Sequence, residues 1–292
     1  MIRFGPSGNS EEFYAQGHKH TFEAMEWLKN MGLNAYEYSF GRGAHIGESA
    51  AKLICKKAEE NGIALSVHAP YYINLAADSP EKFDANVRYF QEASRGASWL
   101  GAKRVVFHPG SPMKQNRNEA FQRVRANLIS MLEIMDEMGY AGLQYCPETM
   151  GKINQIGNLE EVIELVNIDE RVLPTIDFGH LHSRGLGALN TKQDFEDIIL
   201  RLENGIGKEK TANMHIHFSK IEYTSMGEKQ HRTFADEGFG PDFLQLAPVI
   251  VEHNLSPTII CESKGTMAKD ALAMKKMYLD ALKKKEEQLW KK

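Results

Sequence analysis

Seven side chains of this sequence have metal-binding chemistry and share one setting. His68, His108, Glu148, Asp177, His180, His215 and Glu262 each fall on or just after a separate short apolar run. Imidazole nitrogens mixed with carboxylate oxygens are the donor set of zinc and similar divalent ions, and a group this large could hold several of them. Because the seven are spread from position 68 to position 262, only a fold that gathers the ends of many elements can bring them together.

Strand-like and helix-like segments alternate along the whole chain. Strands are expected at 2–5, 35–40, 64–68, 104–108, 142–148, 172–177, 212–218 and 258–262, each a short apolar or β-branched run. Between them lie helical periods such as ESAAKLICKKAEENG and EAFQRVRANLISMLEIMDEMG, several ending in Gly or Asn as a helix stop should. Eight strand–helix units make an α/β fold of the (β/α)8 TIM-barrel type the economical reading. One domain is expected over residues 1–292, an ordinary length for a barrel that commonly needs about 250 residues. In such a barrel the carboxyl ends of all strands open on one mouth, which is where the candidate ligands fall. In VHAP and FHPG a proline follows the histidine within two residues. It stops the ladder there and leaves each imidazole at the strand's end.

Composition narrows the class. Hydrophobic residues make up 42% and charged residues 25%, close to the soluble average. No apolar run approaches the ~18 residues of a membrane span, so no membrane association is expected. The start MIRFGPSGNS lacks a charged segment followed by an apolar one, so no secretory leader is expected and the cytoplasm is the expected compartment. Cys55, Cys146 and Cys261 form neither a paired framework nor a CxxC knuckle and are expected to be thiols. The net charge of −4 argues weakly against a generic nucleic-acid binder. Two or three bound divalent ions would add roughly four to six positive charges at one spot, however, and the local field outweighs the total.

Each candidate has a plainer reading. A lone strand-end histidine is usually a hydrogen-bonded structural residue; two on successive strands favour ligation. A lone Glu148 or Glu262 could cap a helix or pair with a base such as Lys264. Two carboxylates facing histidines across one mouth favour shared coordination, since bare anionic oxygens repel in a desolvated pocket. DFGHLHSRG offers Asp177 with His180 or His182, and MHIHFSK offers His215 or His217 on one strand face. Spacing does not choose within either pair. The long segment SKIEYTSMGEKQHRTFADEGFGPDF after strand seven reads as an irregular insertion carrying Glu228, Lys229 and His231. Long loops at this end of a barrel carry function. Arg42, Lys114, Arg117, Lys152, Arg184, Lys220, Lys229, Arg232 and Lys264 are expected near the mouth, a set suited to an anionic ligand. Tyr71 and Tyr72 are placed to stack on a base or sugar.

The motifs VHAPYYINLA, FHPG, PETMG, DFGH, MHIHFSK, DEGFGPDF and CESKG together resemble the endonuclease IV family, the second family of apurinic/apyrimidinic endonucleases. That resemblance implies a Zn2+ site of two or three ions, with Mn2+ as an alternative. It also implies hydrolysis of the phosphodiester 5′ to an abasic nucleotide in DNA, by a monomeric repair enzyme. It implies that His68 and His108 hold one ion, that Glu148 bridges to a second held also by Asp177, His215 and Glu262, and that His180 and His231 hold the third. Glu148 and Glu262 would be catalytic, with Tyr71, Tyr72, Arg42 and Lys229 on the substrate. Two departures stand out. The family completes its third ion with an Asp and a His two residues apart, whereas GEKQHRTF places Glu228 three before His231 and Lys229 where the Asp is expected. FGPSGNS also lacks the histidine of the family's early GAHVS-like segment. A sugar isomerase or epimerase using one ion held by Glu148, Asp177, His215 and Glu262 is the alternative on the same barrel. It leaves His68, His108, His180 and His231 without a shared task.

Overall fold

The expected eight parallel strands are present and close on themselves. In a computed structural model describing residues 1–41 and 46–290, the chain begins β1 (Arg3–Pro6), α1 (Glu11–Ala15), α2 (Thr21–Asn30), β2 (Ala35–Ser39), α3 (Glu48–Asn61), β3 (Ala64–His68) and α4 (Pro80–Leu100). It continues with β4 (Arg104–Phe107), α5 (Arg117–Glu137), β5 (Gln144–Pro147), α6 (Leu159–Val166), β6 (Thr175–Asp177), α7 (Phe178–Arg184) and α8 (Lys192–Ala212). It ends with β7 (His215–Phe218), β8 (Lys220–Thr224), β9 (Gly227–Arg232), α9 (Phe243–Glu252), β10 (Thr258–Cys261) and α10 (Met267–Trp290).

Parallel ladders run in the orders β1-β10-β7-β6 and β2-β3-β4-β5. Bridges Ser7↔Glu37, Tyr145↔Val172 and Glu148↔Thr175 join the two halves into a barrel of β1 to β7 and β10. One hydrophobic cluster running from Phe4 to Met274 fills the shell between strands and helices. Helix ends follow the local chemistry: Ser79, Asn116, Asn158 and Thr191 accept hydrogen bonds from the first turns of α4, α5, α6 and α8, satisfying N–H groups that have no intrahelical partner.

The barrel interior is built differently. A small apolar group, Val106, Cys146 and Leu173, shares it with buried Glu37, Ser66, His215 and His217. Branched apolar side chains normally dominate those layers, so the polar group needs a reason, and the site above it supplies one. Cys55, Cys146 and Cys261 are free thiols. Among the described residues no helix is long and apolar enough to cross a membrane.

The segment after β7 differs from the expected irregular insertion. β8 and β9 pair as an antiparallel hairpin from Lys220↔Arg232 to Thr224↔Gly227. Gly227 takes φ +90, which a side chain would resist, and a Cβ there would meet the Gly151 carbonyl oxygen at 2.2 Å. The glycine therefore both turns the chain and lets the hairpin lie against the loop after β5, where Lys152 bridges to Gly227 and Glu228 N–H donates to Gly151 O at 3.2 Å. The stretch FGHLHSR directly after β6 forms the short helix α7.

Barrel closure between β1 and β2 depends on Gly5, where an added Cβ would lie 1.8 Å from the Ala35 carbonyl oxygen. Gly5→Ala must push two backbones apart and should destabilise the protein by about 1–3 kcal/mol, the usual cost of overpacking. An unchanged midpoint in urea denaturation would show that this seam tolerates separation.

Candidate metal centre

Side chains along a strand alternate between faces, and the candidate ligands share the inward parity at strand ends. His68 is the last residue of β3, His108 follows β4, Glu148 follows β5, Asp177 ends β6 and Glu262 follows β10. Glu148 is the hub. Its Oε2 lies 3.2 Å from His68 Nε2 and 3.2 Å from His108 Nε2, while Oε1 lies 3.0 Å from His217 Nδ1 and 3.5 Å from His180 Nδ1. One carboxylate thus presents its two oxygens to two different sets of partners.

Several imidazoles are held by one nitrogen with the other turned to the cluster. His68 Nδ1 lies 2.8 Å from the Ala69 carbonyl and His180 Nδ1 lies 2.9 Å from the Thr149 carbonyl, and both rings donate there. His231 Nδ1 pairs with the Ser219 hydroxyl at 2.8 Å. In each case Nε2 points toward a carboxylate, the arrangement that orients a ligating histidine. Asp177 is fixed as the cap of α7, its Oδ1 accepting from the His180 N–H at 2.7 Å, and the DxxH spacing is the spacing of that cap. Its Oδ2 is buried with no hydrogen-bond partner.

His215, the expected ligand, belongs to a donor group with Glu37 and His217. His217 is the side chain against Glu148, and it approaches Glu262 at 3.6 Å. His215 sits deeper, 3.0 Å from Glu37. The two share a face, but His217 registers with Asp177 across the β6–β7 ladder whereas His215 registers with Thr175, one inward layer lower. Glu37, which the sequence reading did not single out, lies under the cluster. Its signal is a charged residue at the centre of the strand AYEYS. His182 turns away, its Nδ1 lying against the backbone of Leu189.

A third group of donors comes together despite the altered motif. His180, Glu228 and His231 offer donor atoms within 4.8 Å of one another. Pairing along the hairpin runs Glu222↔Gln230 and then Tyr223↔Glu228, so Lys229 is an extra, unpaired bulge residue. A bulge resets the alternation and lets side chains three apart face one way. Lys229, expected on the substrate, instead holds Glu222 at 2.6 Å.

Above the cluster opens a cavity of about 340 Å3 lined by Tyr71, His68, His108, Lys152, Glu228 and Glu262 among others. Tyr71 is 49% exposed at its edge. Tyr72 lies instead on a neighbouring cleft with Tyr89 and Met113. Several expected basic groups are committed elsewhere. Arg117 binds Glu161, Arg184 binds the carbonyls of Met150, Lys152, Ile153 and Gln155, and Lys220 binds those of Phe234 and Asp236. Arg42 lies outside the described residues.

The family profile described as "Xylose isomerase-like TIM barrel" matches residues 25–282. The chain belongs to that family. An uncharacterized protein of Methanocaldococcus jannaschii is 32% identical over 88% of this chain and 91% of its own length. A probable endonuclease 4 of Staphylococcus carnosus is 28% identical, over 69% of this chain and 66% of that protein. The crystal structure of a D-tagatose 3-epimerase-like protein superposes with a TM-score of 0.72 at 20% identity, covering 99% of this chain and 100% of that one.

For this family member, the donor set fits bound cations. Besides the third group, His68, Glu148 and His217 form one set of donors within 4.8 Å, and Glu148, Asp177, His217 and Glu262 form another. The surroundings shift several of these groups. Burial, opposed by His180 and reinforced by Glu262 and Glu148, pushes Asp177 up to about 6. Burial would lower His180 and His68, but the surrounding carboxylates outweigh it and raise them to about 10 and about 9. A cation coordinated here must displace those protons. Zinc affinity should therefore climb as pH rises from 6 toward 9 and flatten above about 10. Calorimetry at pH 7 in buffers of differing ionisation enthalpy should register proton release, and a buffer-independent heat would contradict it. Deleting Lys229 removes the bulge and leaves Glu228 two residues before His231 on a regular strand, still on one face, so metal content by elemental analysis should be unchanged; a loss of about one ion per chain would show that the bulge itself shapes the site.

Proposed function

We propose that this chain is a metal-dependent endonuclease that hydrolyses the phosphodiester 5′ to abasic sites in DNA, using two or three zinc ions, with manganese able to substitute. The observation that supports this most is the surplus of donors. A single ion is satisfied by Glu148, Asp177, His217 and Glu262, yet His68 and His108 converge on the opposite oxygen of Glu148, and His180, Glu228 and His231 form a further group. The relatives named endonuclease 4 point the same way.

Clustered divalent ions, when bound, acidify a water and neutralise charge on the nonbridging and leaving oxygens of a phosphodiester. No protein nucleophile is then required. The chain's own residues set the geometry. Glu148 spans the two sides of the centre and fixes their separation. Asp177 is held rigid by its cap to α7 and by Thr149 Oγ1, which accepts from the Asp177 N–H at 2.9 Å. Glu262, with a side chain 16% exposed against 1% for Glu148, faces the cavity and would orient the attacking water. Tyr71 at the rim stacks on the exposed sugar or a neighbouring base. Tyr72, on the adjoining cleft, receives the flanking strand. Extrusion of an abasic nucleotide costs least where stacking is already lost.

An epimerase reading has one observation in its favour, the four-donor set Glu148, Asp177, His217 and Glu262, which suffices for one ion. It leaves five converging side chains without work. Metal analysis separates the two, since the nuclease should hold close to three ions per chain and the epimerase about one. The deciding experiment is incubation of the zinc- or manganese-loaded protein with duplex DNA carrying one abasic analogue. Incision leaving a 3′-hydroxyl is expected; intact DNA alongside interconversion of a ketose would replace this reading. Glu148→Gln should lower incision on the order of 100-fold to 1000-fold, as loss of a transition-state-stabilising group does, with the circular dichroism spectrum unchanged.

A further inference from the structure

We infer that Glu37 is a positioning residue for the metal centre, holding the Nε2 edge of His217 so that Nδ1 faces the ion shared with Glu148, Asp177 and Glu262. This rests on the reading that the centre holds metal.

Glu37 sits at the middle of β2 and is completely buried. Its two oxygens are divided. Oε1 lies 2.9 Å from His217 Nε2. Oε2 lies 3.0 Å from His215 Nε2 and accepts from the Ser66 hydroxyl at 2.8 Å. Beyond His215, Arg104 approaches Nδ1 at 3.5 Å and donates to the carbonyl of Asn213. A polar column therefore runs through the barrel from Arg104 by way of His215, Glu37 and His217 to Glu148.

A carboxylate in that layer displaces the branched apolar packing a barrel interior favours and carries a desolvation cost. Each of its oxygens faces an imidazole nitrogen, Oε1 that of His217 and Oε2 that of His215, so the carboxylate stands at the rear of His217. Histidine ligands are oriented, and made more basic, when the second ring nitrogen donates to a carboxylate. His68 and His180 turn that nitrogen to backbone carbonyls and His231 turns it to a hydroxyl, whereas His217 turns it to a carboxylate. The contact of Glu37 Oε1 with His217 Nε2 is an ion pair not aligned as a hydrogen bond. Drawing Nδ1 onto an ion would leave the single remaining N–H on the Glu37 side.

Two measurements test this. In zinc-loaded wild-type protein with nitrogen-15-labelled histidine, His217 Nε2 should carry the proton and Nδ1 the shift of a metal-bound nitrogen. Proton-free Nε2, as an ion seated between Glu37, His215 and His217 would produce, overturns the assignment, and the result needs no variant to fold. In zinc competition against a chelator, Glu37→Gln should weaken binding about 10-fold to 100-fold, while His215→Ala, acting only through Glu37, should weaken it less. Equal affinity of Glu37→Gln and wild type, or equal losses in both variants, would reduce Glu37 to packing and leave the metal centre standing. A wild-type protein that takes up no zinc would remove the centre and this inference together.

Discussion

Five carboxylates drawn into one poorly hydrated space are the constraint on which the rest depends. Glu37, Glu148 and Asp177 are buried, and Glu262 and Glu228 close over them. Like charges at these separations repel strongly when water is excluded. The surroundings push these groups in opposite directions. Asp177 is pushed up toward neutrality while Glu148, helped by His217, stays well below the usual range. His217, His180 and His68 are raised by the surrounding anions, whereas His108 and His215, for which burial wins, are lowered. Divalent ions resolve this in the simplest way, replacing protons that the donors hold under strain.

The barrel supplies the convergence, and the alternation of side chains supplies the selection. Inward positions at the carboxyl ends of β3 to β7 and β10 become candidate ligands, and the inward positions one layer lower on β2, β3 and β7 become Glu37, Ser66 and His215. Cluster and support are two levels of one pattern. The support acts on the ligand below which it lies, so the polar layer and the mouth form one structure, with Val106, Cys146 and Leu173 filling the remaining interior.

Much of this was legible in the sequence, because strand-end position and parity can be read from short apolar runs and the prolines that end them. The barrel, its order and the convergence of His68, His108, Glu148, Asp177, His180 and Glu262 at one mouth follow from that alone. Depth does not. His215 and His217 share a face, and only the stagger between β6 and β7, a property of barrel closure, decides which of them stands level with Asp177. Glu37 was hidden for a related reason: a single carboxylate inside AYEYS looks like an outward residue until the barrel turns it in. The basic residues misled in the other direction. Arg117, Arg184 and Lys220 are near the mouth, but they act as clamps on loop carbonyls.

The hairpin shows how a motif can change while its geometry survives. An acid and a histidine two residues apart face one side of a regular strand. Here they are three apart, and regular alternation would set them on opposite sides. The unpaired Lys229 absorbs the extra residue, and its side chain anchors outward on Glu222 together with Arg232. Glu228 is then turned inward and lies 3.5 Å from His180. One bulge and an outward ion pair therefore set a carboxylate oxygen toward His180. What decides whether the centre can hold several ions is that position, and the spelling of the loop matters only through it.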